Sequence, residues 1–422
     1  METFKPLVRE IFESKSHYAS FPGKFLGLLR RLWADALYDS TNLNSALQKT
    51  FGSSKYLFDI PCSPPGVRVA LTTSQVESDG TVSLFSNYRR FRNPGEEASY
   101  TSIMPENVDE EPLLWQAYFK AQYLPNIGTL QDAGILANCP LKFAIREAMN
   151  IWPDAGRPDL VISIGTGYTR PKISKDWNLP SKRTFQNGFI GRGLRAFLFS
   201  SAADGKKGFE DALDDLPKDI KEDIFRLDKD LGEELPELDN VENIDQLSQM
   251  ACEIPGDLAR ALLTTSFFFE LDEEPSLMDG QYRCNGSVLC SRSFPEGILA
   301  LVEKELPSAR FTMHNGASLG LVQEHDGCKI CGYYRKHISF YVSSVYKDFR
   351  LEITSKTGSR KIGGFPTSLT VLLKKQQVHA VFGRSDHKTD QWPPSRKCYC
   401  SINNKRPRED PPCGTDVPKR KR

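Results

Sequence analysis

No stretch of this 422-residue chain approaches the roughly 20 consecutive apolar residues that a bilayer-spanning helix needs. A secretory leader is missing as well. The opening METFKPLVREIFESK carries acidic residues and holds no continuous apolar core, so it does not read as a signal peptide. Charge of one sign is also lacking: 55 Lys and Arg stand against 54 Asp and Glu, a net charge of +1. No global field therefore draws the chain to nucleic acid or to anionic membranes. Ten cysteines in a chain of this length, with no leader, point to reduced thiols or metal ligands rather than a disulfide framework. These absences together predict an intracellular, cytoplasmic protein.

What is present fits a globular chain with room for two or three domains, at 39% hydrophobic and 26% charged residues. Phe4, Leu7, Val8, Ile11 and Phe12 fall at helical spacing almost at the initiator Met. A chain that opens inside an element predicts missing upstream sequence; the alternative is a complete protein that starts short. A second helix is expected over Phe25 to Tyr38, and a third runs from Ser45 until Gly52 stops it. Val67 to Thr73 and Thr81 to Phe85 alternate like strands. Arg89, Arg90 and Arg92 follow, either as an anion site or as an exposed basic loop. Trp115 to Tyr123 reads as a helix that ends before Pro125.

The chemistry centres on residues 130 to 167. Asp132 precedes Ala133-Gly134, which reads as a turn. Asn138-Cys139-Pro140 then leads into a helix through Leu141, Ala144, Ile145 and Met149, broken by Pro153 and Gly156. The apolar run Leu160 to Ile164 ends in Gly165-Thr166-Gly167. That ending lacks the third glycine and the following helix of a dinucleotide loop. A carboxylate at a glycine turn, a helix and then a buried strand is the edge of an α/β site.

These residues resemble the patatin-like phospholipases of the fungal kind. The family carries Asp-Gly-Gly or Asp-Gly-Ala, then Asn-Asn-Pro, a helix ending in Trp-Pro, and Pro-Asp-Leu-Val-x-Ser-Ile-Gly-Thr-Gly. Here stand Asp132-Ala133-Gly134, Asn138-Cys139-Pro140, Trp152-Pro153 and Pro158-Asp159-Leu160 through Gly167. Leu84 to Arg89, and later Phe267 to Glu270, Cys328 to Lys336 and Phe382-Gly383-Arg384, are similar as well. The resemblance, over residues 1–170, and the residue pattern beyond them describe an α/β chain with four parts. Residues 1–170 form an incomplete three-layer α/β/α patatin-like sandwich, and 171–261, with acidic helices expected over Asp211 to Asp230 and Glu233 to Asp245, read as a helical acidic insertion or cap. Phe267 to Leu271, Ile338 to Val345 and Phe349 to Ile353 alternate like strands, so residues 262–390 read as a β-rich C-terminal domain, and 391–422, rich in Pro, Lys and Arg, as a disordered basic tail.

The resemblance also implies a serine acyl-ester hydrolase of lipid metabolism, with phospholipid or lysophospholipid as partner and peripheral contact with a membrane surface. Catalysis in that family needs no cofactor. Asp132 is cast as the base of a Ser-Asp dyad. The family's Gly-x-Ser-x-Gly elbow and its oxyanion loop precede the part that matches residue 1, so the chain is expected to be inactive as written. The alternative is a non-catalytic lipid-binding or interaction protein on the same scaffold. Ala133 replaces a family glycine, and the family's Arg and Thr-Ser pair are replaced between Trp115 and Pro125. A formal Gly-x-Ser-x-Gly match does occur, Gly316 to Gly320 around Ser318, but it lies after the Asp and inside the β-rich region. It reads as a small-residue loop.

Cys284, Cys290, Cys328 and Cys331 make two pairs in one β-rich region. They are either a tetrahedral structural zinc site or buried thiols. Cys398 and Cys400 lie in the tail. Lys405 to Arg408 and Lys419 to Arg422 have the spacing of a bipartite nuclear localisation signal, or simply solubilise the tail. No aromatic residues interleave with these cations as single-strand binders require, so no nucleic-acid partner is expected.

Overall fold

The computed structural model describes residues 5–6, 40–56, 68–75, 81–88, 100–103, 112–117, 122–124, 128–133, 137–168, 205–232, 244–250, 253–291, 295–326 and 333–376. The expected second helix, Arg89 to Arg92 and the basic tail fall outside them. Helices and strands are mixed along the chain. It divides into two compact units. The first comprises Met1–Ile151, Ser163–Pro217 and Arg226–Cys252; the second comprises Trp152–Ile162, Lys218–Phe225 and Glu253–Arg422.

In the first unit, helix α1 spans Ser40–Phe51. It ends where expected, at Gly52, whose φ of +89° closes the last turn with a bond from its N–H to the Gln48 carbonyl. Five strands follow: β1 Ala70–Gln75, β2 Val82–Ser86, β3 Tyr100–Ile103, β4 Gln122–Leu124 and β5 Gly128–Asp132. They form one sheet in the order β3-β2-β1-β5-β4, antiparallel except for the parallel pair β2 and β3.

Strand β2 is buried at every position, so both of its faces are covered. On one face Val82 and Leu84 pack with Tyr100, Ala133 and Phe143; on the other Phe85 packs with Ile103, Leu130 and Leu114. Phe143 belongs to helix α3, Leu141–Ile151, and Leu114 to the short helix α2, Leu114–Ala117. The buried hydroxyl of Ser83 is satisfied across the strands by Thr101, Oγ to Oγ1, at 2.6 Å.

Two expected helices are corrected. Trp115 to Tyr123 is not one element: helix α2 stops at Ala117, and β4 pairs Gln122 with Leu130 and Leu124 with Gly128. Asp211 to Asp230 is not one helix either. Helix α4, Gly205–Asp214, stops before Pro217, whose ring cannot continue the ladder. Helix α5, Lys218–Lys221, and strand β7, Ile224–Leu227, complete the segment. Helix α6 covers Ile244–Gln249. Strand β7 forms a two-stranded sheet with β6, Val161–Ile164, and the unit boundary falls inside both strands.

The second unit holds the large core. Its elements are α7 Gly256–Thr264, β8 Phe267–Leu271, β9 Ser276–Met278, β10 Gln281–Cys290, α8 Glu296–Glu305, β11 Arg310–Met313, β12 Ser318–Leu321, β13 Arg335–Val342, β14 Leu351–Ser355, β15 Gly358–Lys361 and α9 Leu369–Gln376. One sheet runs β13-β10-β8, with β9 folding back on the start of β10. The other runs β12-β11-β14-β15, and every pairing in both is antiparallel.

Alternation explains β13. Lys336, Ile338, Phe340 and Val342 face inward, while Arg335, His337, Ser339 and Tyr341 face outward. Lys336 is an inward-facing cation, and its ammonium donates to the Glu324 carbonyl at 2.7 Å. The sheets share one apolar cluster, in which Phe267 of β8 meets Phe311 of β11 edge-on at 5.8 Å between ring centroids.

Candidate functional site

Asp132 is the last residue of β5 and pairs with Thr73 of β1 in the sheet register. It therefore sits at a strand end rather than in a free-standing turn. Ala133 follows at 0% exposure, and its carbonyl accepts from the Ala137 N–H at 2.6 Å. Asn138, Cys139 and Pro140 lead into helix α3, whose first turn closes from Ala144 N–H to the Pro140 carbonyl at 2.9 Å. Beside Thr73, Ser74 is fully buried, and its hydroxyl has no hydrogen-bond partner among the described residues. Gly134 lies outside them.

Helix α3 is fixed to the sheet by a carboxylate. Glu147 is 5% exposed and accepts from the Tyr88 hydroxyl at 2.8 Å and from the Tyr100 hydroxyl. Tyr100 also meets Phe143 edge-on at 5.3 Å. A buried acid is expensive unless its lone pairs are used. Here two tyrosines supply the donors, Tyr100 from β3 and Tyr88 from the bend after β2, and they set the helix that follows Asp132.

A second polar centre organises the strand ending in Gly165-Thr166-Gly167. Arg226 donates from Nε and Nη2 to Asp228 Oδ2 at 3.0 and 2.8 Å. Its Nη1 donates to the Ser163 hydroxyl at 2.8 Å and points at the Cys139 sulfur at 3.9 Å. The other oxygen of Asp228 accepts from the Gly167 N–H at 2.9 Å and the Lys229 N–H at 3.0 Å. One guanidinium thus gathers the Asn-Cys-Pro segment, the Ser163 strand and the strand after α5. The carboxylate is used on both oxygens, so Asp228 is an anchor rather than a free base.

The glycines of this segment have a packing role. A Cβ on Gly165 would fall 2.2 Å from Asp228 Oδ2, and one on Gly167 would fall 2.5 Å from a Leu231 methyl. Gly167 also holds φ at +101°, a region that side chains disfavour. The strand continues as a parallel pair through the bridge from Tyr168 to Asp230. Among the described residues it is not hydrogen-bonded into the five-stranded sheet, whereas the resemblance implies a strand of the sandwich sheet.

Ser318 does not sit on a nucleophile elbow. It opens β12, an exposed hairpin strand paired with β11, and its hydroxyl accepts from the Gly320 N–H at 3.5 Å. A strand-turn-helix is what exposes a catalytic serine in this chemistry, and a helix does not follow here.

Of the four cysteines, Cys284 and Cys290 are among the described residues, both buried as free thiols. Cys284 and Cys290 lie on one regular strand, β10, six positions and therefore about 20 Å apart. Two sulfurs on one zinc lie within about 4 Å of each other, so this pair cannot share an ion. Cys328 and Cys331 lie outside the described residues, and no group of three or more metal-ligating side chains occurs among the described ones. Burial pushes the Cys284 thiol up to about 12, so it stays protonated near neutrality and is a poor ligand.

Two consequences of that buried thiol are measurable. Cys284 should resist iodoacetamide in the native protein at pH 8, with or without chelator, and alkylate once guanidinium unfolds the chain. Native labelling, or labelling released by chelator, would contradict its placement. The raised value also has a sign: its stabilisation holds below about pH 9 and is lost as pH climbs towards about 12.

Sequence reasoning missed one further constellation, in the second unit. The Ser287 hydroxyl lies 3.0 and 2.9 Å from the two Asp272 oxygens. Arg335 donates to both residues at 2.9 Å, and His337 Nδ1 lies 3.0 Å from Asp272. A serine, a histidine and an aspartate meet, yet the aspartate binds both partners and the serine does not bond to the imidazole. That wiring differs from a nucleophilic triad. The only sequence signal was Ser287 facing His337 across β10 and β13, and register cannot be read before pairing is known.

No helix among the described residues is long and apolar enough to cross a membrane. The chain matches no known protein family, no curated protein and no solved structure.

Proposed function

We propose that the first unit is a patatin-like lipid scaffold that carries Asp132 as a dyad base. As a 422-residue chain it binds phospholipid or lysophospholipid without hydrolysing it. The observation that carries this reading is the placement of Asp132 at the end of a sheet strand, directly before the Asn138-Cys139-Pro140 entry to helix α3. Helices α2 and α3 packed on opposite faces of the sheet support the layered arrangement that the motif resemblance implies. The absence of turnover follows from chemistry: a carboxylate base needs a serine on an elbow, and the one sequence match lies on a hairpin strand. The reading includes peripheral contact with a membrane surface and a cytoplasmic or nuclear location, the latter through the basic clusters after Lys405.

Titration calorimetry with monomeric lysophosphatidylcholine, run beside a fatty-acid release assay and fluorophosphonate labelling, tests both halves. Saturable binding without release or labelling is expected. An absence of binding overturns the lipid reading. Release or labelling that is lost in Asp132→Asn or Ser318→Ala overturns the inactivity while leaving the acyl-hydrolase scaffold standing.

A further inference from the structure

The second unit contains a cavity of 440 Å³ between β15, α7 and the segment from Asp219 to Phe225. Its volume lies in the range of small-molecule sites. More than half of the residues that line it are charged, with cations and carboxylates in equal number. Internal pairing accounts for part of them: Arg157 with Asp219 at 2.6 Å, and Arg260 with Asp257. The remaining groups are the informative ones.

Arg360 lies over the Phe225 ring at 5.2 Å, and one of its nitrogens donates to the Glu222 carbonyl at 3.0 Å. Its stem is held and its charge meets a neutral acceptor. The Lys361 ammonium lies 2.7 Å from Asp223 Oδ2, with side chains only 12% and 13% exposed. That ion pair engages one direction of the ammonium, and the buried nitrogen has no further acceptor among the described residues. A buried ammonium with unused N–H groups beside a cavity is costly unless something occupies them. Arg350 also lines the cavity and forms no ion pair with a described residue.

Among the carboxylates of the lining, that of Glu222 is unpaired among the described residues, and Glu352 accepts only the Ser359 hydroxyl at 2.6 Å. Three cations with unused donors and two carboxylates with unused lone pairs therefore share one space. A simple anion would meet the carboxylates, and a simple cation would meet the guanidinium groups. A molecule carrying both charges satisfies both. Guanidinium and ammonium together favour a phosphate, which offers more acceptor directions than a carboxylate.

We propose that this cavity binds an aminoalkyl phosphate, a small zwitterion whose phosphate is held by Arg350, Arg360 and Lys361 while its ammonium faces Glu222 and Glu352. The site lies in the second unit and does not rest on the lipid reading of the first. The same chemistry exists free in solution and as the head group of an amino-phospholipid.

The probe is O-phosphoethanolamine, titrated into the full chain. One-to-one binding is expected, with inorganic phosphate weaker and ethanolamine weaker still. Arg360→Gln and the exposed Arg350→Gln and Glu222→Gln should each weaken binding about tenfold or more, as loss of a charge-assisted contact does. Because Arg360→Gln alters a packed side chain, unchanged thermal unfolding of the two exposed variants keeps the test independent of folding. Vesicles containing phosphatidylethanolamine separate the sources. Vesicle binding displaced by O-phosphoethanolamine marks the head group, and soluble binding alone marks the free compound. No binding of O-phosphoethanolamine, or binding that none of the three substitutions weakens, overturns the proposal.

Discussion

Arg226→Ala is expected to destabilise the first unit by about 3 kcal/mol. The guanidinium and its partner are both largely removed from water, with side chains 14% and 8% exposed. Deleting the cation leaves the Asp228 carboxylate buried with only the Gly167 and Lys229 N–H groups to support it. It also strips the Ser163 hydroxyl of its donor. The loss belongs at the low end of the range for broken buried pairs, because two backbone donors remain. Urea unfolding followed by amide exchange at Gly165 to Tyr168 measures it. The double variant Arg226→Ala with Asp228→Ala should recover part of the loss. An unfolding midpoint unmoved by Arg226→Ala would show that this pair does not organise the strand.

Phe267→Ala is expected to cost the second unit about 4 kcal/mol, within the range for emptying an aromatic site in a packed core. Phe267 is 0% exposed, and its ring meets Phe311 and Tyr334 edge-on at 5.8 and 5.1 Å. Phe311 comes from the opposite sheet, so the cavity left behind opens between two rigid layers that cannot close around it. Tyr334 is further committed through a 2.8 Å bond to the Val322 carbonyl, and burial pushes its phenol well above the usual tyrosine range. Denaturant titration of the variant, read by the second unit's amides, checks the figure. Phe267→Leu should recover much of the loss by refilling the volume. A cost for Phe267→Ala below about 1 kcal/mol would place the core elsewhere.

How much of this was legible in the sequence depends on whether the deciding contact is local. Phe267–Leu271 is a strand at the residues its alternation indicated, because period two in an apolar run needs no knowledge of partners. Strand β13 was legible for the same reason, although pairing starts it at Arg335 and ends it at Val342. The stop at Gly52 was visible as glycine chemistry. Strand β5 was not visible: Gly128–Asp132 carries one buried apolar residue, Leu130, and becomes a strand only by pairing with β1 and β4. Strand β7 was hidden inside an acidic stretch whose composition suggested helix.

The candidate site divides in the same way. Asp132 was found through the order of its neighbours along the chain. Glu147 with its two tyrosines, Arg226 with Ser163, and Asp272 with His337 join residues far apart in sequence, and nothing local distinguishes them from surface polar groups. The cysteine pattern left zinc and buried thiols both open, because spacing along the chain does not fix distance in space. Its spacing is a one-dimensional signal, while the extended strand between Cys284 and Cys290 separates what the count had joined.

The interleaving of the two units bears on the order in which the chain leaves the ribosome. Residues 152–162 and 218–225 emerge long before Glu253, yet they are components of the later unit. Asp159 waits for the Gly364 N–H it accepts at 2.7 Å, and Asp223 waits for Lys361. Both acids must stay hydrated while more than a hundred further residues are synthesised. A fragment beginning at Glu253 would lack both segments, so Lys361 would be left without its carboxylate. The second unit therefore cannot be separated from the first by any single cut of the chain, because residues 163–217 and 226–252 lie between its segments.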